Sequence, residues 1–230
     1  MREYFLNPLP LFKHNPQSEE QIFAGLESIV EMHQPDFILL TEVKTGRQFA
    51  RLSERLQLSH HASQADSKYH PKSMLGLLPF HRGNAHGALM TTRIPIQQWH
   101  LRHGSKRLVY EFRLSSGILV LMCHLSLRKE TRARQFSELK HHLRDESRVI
   151  LCGDMNTFGG IPEITSLLNG SRLELLPTPA TFPTCAPNQI LDLCLATPNT
   201  RAKAVTLLTP GSDHLPILIT FPDDTPEISV

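Results

Sequence analysis

Residues Arg148–Thr157 read RVILCGDMNT, and the way this stretch ends decides how the rest of the chain is read. Val149, Ile150, Leu151 and Cys152 form an apolar, β-prone run that predicts a short strand buried on both faces. The run stops at Gly153. Asp154 and Asn156 follow two apart, and side chains alternate along a strand, so a carboxylate and an amide are expected to point the same way at the lip of a core. A Gly-Asp turn would leave the same letters behind. Repetition favours a site instead: Glu3–Leu6 halts at Asn7, Asp36–Thr41 ends in Glu42, and Ile118–Cys123 ends in His124.

The composition sets limits on this reading. The chain has 230 residues, 40% of them hydrophobic, which predicts one domain over 1–221, with an acidic, Pro-containing tail over 222–230 expected to fray. Net charge is +2, from 24 basic and 22 acidic residues, so charge neither marks nor excludes a nucleic-acid partner. The pairs His60-His61 and His141-His142 lie in polar surroundings and read as solvated surface. Cys123, Cys152 and Cys194 sit inside apolar runs as small buried hydrophobes, Cys185 lies in a Pro-rich loop, and no C-x-x-C spacing points to zinc. No stretch has the length of a signal-peptide core or of a membrane span, so the expected location is cytoplasmic, with no obligate protein partner.

In chain order, prolines at 8, 10 and 16 exclude regular structure until Ser18, which with Gln21 forms a capping-box signal. A helix follows with Ile22, Phe23, Leu26, Ile29 and Val30 on one face, and Pro35 marks its exit. Gly46–Leu58 reads as a second amphipathic helix. Ser59–Ser73 reads as a long loop of the functional kind. Met74–Pro79, His86–Thr92 and Ile94–Leu101 read as strands, and Lys106–Leu114 with Gly117–Leu125 forms the clearest hairpin. Lys129–Arg144 is predicted helical, with Phe136, Leu139 and Leu143 inward. Arg128, Arg132 and Arg134 crowd its start, where the helix dipole favours anions. That misfit points to an anionic ligand nearby or, the preferred reading, to a solvated basic face. Ile161–Leu168 reads as a short helix, Pro177–Asn188 as a loop holding TFPTCAP, and Ile190–Ala196, Ala204–Leu208 and Leu215–Phe221 as strands. Asp192 interrupts ILDLCLA, and an ionised group in such a run needs a partner.

The polar residues at the strand ends make a chemical set. Asn7, Glu42, Asp154, Asn156 and Asp213 offer oxygen ligands, which suit a hard cation such as Mg²⁺ or Mn²⁺. His124 and His214 can donate hydrogen bonds to a phosphate or move protons, and Asp192 is the expected orienting partner of one imidazole. No Ser or Cys nucleophile is positioned, so water is the expected attacker.

In this order LLTEV, HGALMTTRIPI, CHLSL, the R-x-x-Q of Arg132 and Gln135, GDMN, LDLCL and SDHLPI resemble the signature series of the endonuclease/exonuclease/phosphatase superfamily, the deoxyribonuclease-like hydrolases. The resemblance runs from Asn7 to Phe221, and TFPTCAP resembles its small bacterial members. It implies a four-layered α/β sandwich, with two mixed, mostly antiparallel sheets face to face, helices outside, and a divalent-metal site at one edge of the sheets. Carried over motif by motif, it makes Glu42 the principal metal ligand with Asn7 and Asp213 at the same site. Asp154 and Asn156 would position or activate water and the scissile phosphate. His214, held by Asp192, would act on the phosphate in flight, and His124 would hydrogen-bond a phosphate oxygen. Thr41 stands where the family usually has Gln, and Asn7 is followed by Pro, both departures from the pattern.

Substrate is not specified by fold. Members cut DNA, RNA, sphingomyelin-type lipids and inositol phosphates. Nucleic-acid cutters need basic residues along a groove, and here Lys68, Lys72, Arg82, Arg93, Arg102, Lys106 and Arg107 are the candidates. No apolar hairpin suited to membrane insertion is evident. The expected function is nuclease-like phosphodiester hydrolysis. Hydrolysis of small soluble or lipid-derived phosphoesters is the alternative, and a non-catalytic scaffold of the same fold a more distant one.

Overall fold

The computed structural model describes residues 2–8, 16–44, 47–56, 64–67, 84–209 and 211–222. The strand expected at 74–79, the tail beyond 222, the pair His60-His61 and the candidate cations Lys68, Lys72 and Arg82 lie outside them. Among the described residues, twelve strands fall into two sheets. The first contains β1 (Arg2–Pro8), β2 (Phe37–Lys44), β3 (Gln64–Ser67), β4 (Asn84–Met90), β11 (Lys203–Thr206) and β12 (Ile217–Phe221), in the order β11-β12-β1-β2-β4-β3. The second contains β5 (Gln97–His100), β6 (Leu108–Arg113), β7 (Leu119–His124), β8 (Val149–Asp154), β9 (Glu174–Leu175) and β10 (Asp192–Ala196), in the order β5-β6-β7-β8-β10-β9. Each sheet is mixed: β1 with β2 and β7 with β8 run parallel, and the other pairs are antiparallel.

The alternation of buried side chains builds the layers. Phe37 and Leu39 of β2 share a core with Val120 and Met122 of β7, Ile150 and Cys152 of β8, and Ile217 and Ile219 of β12. That core lies between the sheets. Their immediate neighbours point the other way. Ile38, Leu40 and Val43 pack with Phe23 and Leu26 of α1 (Pro16–His33) and with Phe49 and Leu52 of α2 (Arg47–Arg55). Leu119, Leu121, Val149 and Leu151 pack with Phe136, Leu139 and Leu143 of α3 (Lys129–Leu143). The result is helix, sheet, sheet, helix, with central strands buried on both faces as RVILC predicts. Each buried Leu, Ile or Phe contributes about 1.5–3 kcal/mol of transfer free energy.

Several local expectations need correction. α1 begins at Pro16, ahead of the Ser18 cap; proline suits a first helical turn because its missing N–H would have no helical partner there. β1 runs on through Asn7-Pro8, since a proline at a strand's last residue forfeits little pairing. The 59–73 loop holds β3, paired with β4. Pro95 cannot donate to a ladder, so the strand expected at 94–101 shrinks to Gln97–His100. Ile161–Leu168 splits into a 3-10 turn (Ile161–Ile164) and α4 (Thr165–Leu168). Arg132 is no part of a solvated face: it is buried and paired with Glu163, so the anion that answers the basic helix start is the protein's own. All four cysteines are free, and burial raises the Cys152 thiol to about 12. Among the described residues no helix is long and apolar enough to cross a membrane.

Candidate active site

The parallel pairing of β7 with β8 and the antiparallel pairing of β8 with β10 set His124, Asp154 and Asp192 side by side in one row across three strands. Two residues back from His124 and from Asp154, and two forward from Asp192 on the antiparallel strand, stand Met122, Cys152 and Cys194, which face the first sheet. The row therefore crosses the mouth of the inter-sheet core. Gly153 makes the close pairing feasible. It has φ +137°, and a Cβ there would overlap the carbonyl oxygen of Cys123, so only glycine fits immediately before Asp154.

The first sheet brings Glu42 to the same mouth through a bulge. Register along β2 shifts between Leu40 and Val43, and Glu42 adopts φ 58°. Strict alternation would send Glu42 outward with Ile38 and Leu40. The extra residue gives that position to Val43 and turns Glu42 toward the cavity, the re-aiming that bulges provide. A left-handed conformation at a non-glycine residue costs on the order of 1–2 kcal/mol. Asn156 is left-handed too, at φ 51°. Its N–H donates to Asp154 Oδ1 at 2.9 Å and its Nδ2 to the Leu125 carbonyl at 2.9 Å, local bonds that let Asn tolerate such a turn.

Asp213 and His214 arrive from the segment ahead of β12. Thr184 N–H donates to the Asp213 carbonyl and Leu215 N–H to the Thr181 carbonyl, each at 2.8 Å, so the TFPTCAP loop holds this segment in place. Phe182 packs against the His214 ring at a tilt of 48°, with centroids 4.8 Å apart. Asp192, with no exposed surface, accepts from Thr181 Oγ1 at 2.5 Å and lies 2.8 Å from His214 Nδ1, both through Oδ2.

Glu42, His124, Asp154, Asn156, Asp213 and His214 line one open cavity of about 210 Å³. Thr41, Lys106, Leu127, Phe158, Phe182 and Leu191 complete its lining. Asp192 stands behind His214. For Asn7 the backbone alone is described; it pairs with Leu40, at the end of β2 that carries Glu42. The sequence had named Lys106 only as one of several groove cations, yet its Nζ is 3.5 Å from Glu42 Oε1 and contacts His124 Nε2. His124 Nε2 lies 3.2 Å from Asp154 Oδ2. Phe158 belongs to no motif, and Thr181 and Leu127 lie within TFPTCAP and CHLSL without being named there as site residues.

Packing these charges together shifts their titration. Burial and the Asp192 charge raise Asp154 to about 7, against the opposing pull of His214, Lys106 and the Asn156 N–H. Burial likewise raises Asp213, with Glu42 and Asp192 adding to it. Burial alone would lower His214, but the Asp192 bond and the charges of Asp192, Asp154 and Asp213 outweigh it and lift His214 to about 9. At neutral pH the imidazole is a cation.

The donor set fits a hard divalent ion. Carboxylates that raise one another's pKa need positive charge, and oxygen donors without thiolates suit Mg²⁺ or Mn²⁺. Ligand atoms of Asp154, Asp192 and His214 lie within 4.8 Å of one another. Asp192 Oδ1 is buried and, among the described residues, has no hydrogen-bond partner. Asp192 Oδ2 already serves Thr181 and His214, while Glu42, Asp154 and Asp213 line the cavity and are the carboxylates there that could hold a cation.

The fold and the family model together place the chain in a class. The chain belongs to the endonuclease/exonuclease/phosphatase family, whose profile matches residues 22–214. An endonuclease/exonuclease/phosphatase family protein from Leptotrichia buccalis shares the fold, with a TM-score of 0.76 at 15% identity, 96% of this chain and 100% of that one being covered. Sphingomyelinase C from Streptomyces griseocarneus gives 0.72 at 15% identity, covering 96% and 99%. A mannosyl-6-phosphatase of Bacteroides thetaiotaomicron gives 0.69 at 14%, covering 96% and 100%. No curated protein sequence matches the chain.

Proposed function

We propose that the protein is a Mg²⁺- or Mn²⁺-dependent hydrolase that cleaves a phosphodiester, nuclease-like, by attack of water. The observation that carries this is the convergence of Glu42, Asp154, Asp213 and the Asp192-His214 pair on one cavity. Glu42 and Asp213, with Asn7, hold the cation, which supplies Lewis-acid polarisation of a phosphoryl oxygen when bound. Asp154 accepts the proton of the attacking water. Its pKa near 7 in the ion-free protein is matched to that task. Asn156 fixes the Asp154 carboxylate through its N–H. His214, kept protonated by Asp192, stabilises the phosphoryl charge, and His124 hydrogen-bonds a phosphate oxygen.

A cavity of about 210 Å³ is small, and this supports the second reading, a small soluble or lipid-derived phosphoester. One panel separates the two: supercoiled plasmid, single-stranded DNA, RNA, phospholipid and bis-p-nitrophenyl phosphate, each with Mg²⁺ and with EDTA. Cleavage of a nucleic acid that EDTA abolishes is the expected result. Turnover of the small ester or phospholipid alone would select the alternative, and no Mg²⁺-dependent turnover of any would sink the hydrolase reading.

A further inference from the structure

A phosphoester is an anion, and three carboxylates face it across the cavity. Repulsion on that scale requires fixed positive charge from the protein as well as from a cation. Among the described residues lining the cavity, Lys106 is the one lysine or arginine. We propose that Lys106 is a catalytic residue that binds a phosphate oxygen of the substrate, and that Gln135 is the positioning residue that holds it there. This rests on the phosphoesterase reading above.

The Lys106 side chain is 15% exposed, and its ammonium lies beside Glu42 and His124. A lysine is long and ordinarily free to sample many rotamers, so keeping its head at one spot begins with its backbone. Gln135, one turn after Arg132 on α3, has no exposed surface. Its Nε2 donates to the His103 carbonyl at 2.9 Å and to the Lys106 carbonyl at 2.7 Å. Its Oε1 accepts from Ser126 N–H at 2.9 Å. One amide thus joins the loop carrying Lys106 to the segment leaving β7 just after His124. Gly104 lets that loop settle onto the amide: at φ +85° a Cβ would come 3.0 Å from Gln135 Nε2 and from Thr131 Cγ2. The two backbones that the amide joins are those whose side chains meet in the cavity. Beyond bracing loops, Gln135 sets where a compact point charge stands, and such a charge suits a phosphate oxygen.

The test compares wild type with Lys106→Met, Lys106→Arg, Gln135→Met and the Lys106→Met/Gln135→Met double variant at saturating Mg²⁺. Two readouts are taken: hydrolysis of bis-p-nitrophenyl phosphate, and calorimetric binding of inorganic phosphate and of Mg²⁺. Lys106→Met is expected to lower kcat/KM about a hundredfold or more, the scale of losing one charge-stabilising donor, and phosphate affinity at least about tenfold, with Mg²⁺ binding no weaker. Lys106→Arg should recover part of both. Gln135→Met should reproduce most of the loss, and the double variant should be no worse than Lys106→Met. Gln135→Glu, which keeps the Ser126 acceptor and removes both donors, replaces Gln135→Met if circular dichroism finds the latter unfolded. Phosphate binding unchanged in Lys106→Met, or lost Mg²⁺ binding in its place, would overturn the lysine's role. Losses that add in the double variant would overturn the positioning role. A wild type inert on every ester whose phosphate binding still depends on Lys106 would end the hydrolase reading and with it the catalytic role, while the phosphate-binding role of Lys106 would stand.

Discussion

The second sheet has cavities at both ends, and the larger ones are at the end without the chemistry. Where β8 begins and α3 ends, cavities of about 290 and 550 Å³ are lined by residues such as Lys140, Arg144, Glu146 and Arg172. The site cavity, where β8 ends, measures about 210 Å³. The difference lies in the state of the charges. At the far end Lys140 is spent on the Asn169 carbonyl, and Arg144 pairs with Asp145 at 64% and 84% side-chain exposure. Water screens such groups, and little of their charge is felt beyond the immediate pair. At the site His124, Asp154, Asp192 and His214 are all buried, and two of them titrate far from their usual range. Desolvated charges held by strand register make a reactive site, and volume alone does not.

Activity gives the largest contrast between the ends. Glu42→Gln or His214→Ala should lower kcat/KM on bis-p-nitrophenyl phosphate by about a hundredfold or more, and Glu42→Gln should also weaken Mg²⁺ binding. Lys140→Ala and Arg144→Ala should stay within about threefold of wild type, as surface changes do. Steady-state kinetics on all four, with calorimetry of Mg²⁺ on Glu42→Gln, makes the comparison. Equal losses at the two ends would break it.

Within the site the coupling between Asp192 and His214 is the sharper question. If Asp192 acts through its 2.8 Å hydrogen bond to His214 Nδ1, Asp192→Asn should lose most of what His214→Ala loses, about 2–4 kcal/mol of barrier. The double variant should be hardly worse than His214→Ala, because residues acting as one unit are not additive. Additive losses would show two separate roles.

Stability contrasts two ion pairs of opposite burial. Arg132 and Glu163 are paired with side chains 2% and 6% exposed, and Glu163 also accepts from Gly159 N–H. Arg132→Met strands that carboxylate and should cost about 3–5 kcal/mol, a fall of about 10 °C in Tm. Asp145→Ala, at the exposed pair with Arg144, should cost about 1 kcal/mol or less. Thermal melts of the two variants check it, and similar losses would mean that the buried pair is worth no more than the exposed one.

How much of this was legible in the sequence follows from what each feature depends on. Strand ends were legible, because an apolar run closed by Glu42, His124 or Asp154 is a local pattern. The cross-strand row was not, since it needs the register of three strands. The bulge at Glu42 was hidden as well: LLTEV reads as plain alternation, and only pairing with β4 reveals the extra residue. Arg132 was misread because its partner Glu163 lies 31 residues on, beyond the reach of any helix-face argument. Lys106 looked like one basic residue among seven until the fold set it beside Glu42.

The stability of the ion-free protein changes gradually with pH, and the sign of the change follows from two raised pKa values. Asp154 titrates at about 7 in the folded chain, against 3.8 for an ordinary aspartate. His214 titrates at about 9 against 6.5. In both cases the folded state binds the proton more tightly, so between the two pKa values it holds more protons than the unfolded state and stability declines as pH rises. Asp154 contributes its share below 3.8 and has lost it above 7; His214 contributes fully below 6.5 and loses it through 9. With EDTA present, Tm should therefore fall steadily between pH 5 and 9, by about 1–2 kcal/mol of stability per pH unit, a few degrees per unit for a chain of this size. Asp154→Asn should flatten the lower half of the decline, and His214→Gln the upper half. Lys140→Ala, at the far end, should leave the whole curve in place. A decline that survives in both site variants would mean that charges elsewhere set the pH response, and the contrast between the two ends would lose its electrostatic basis.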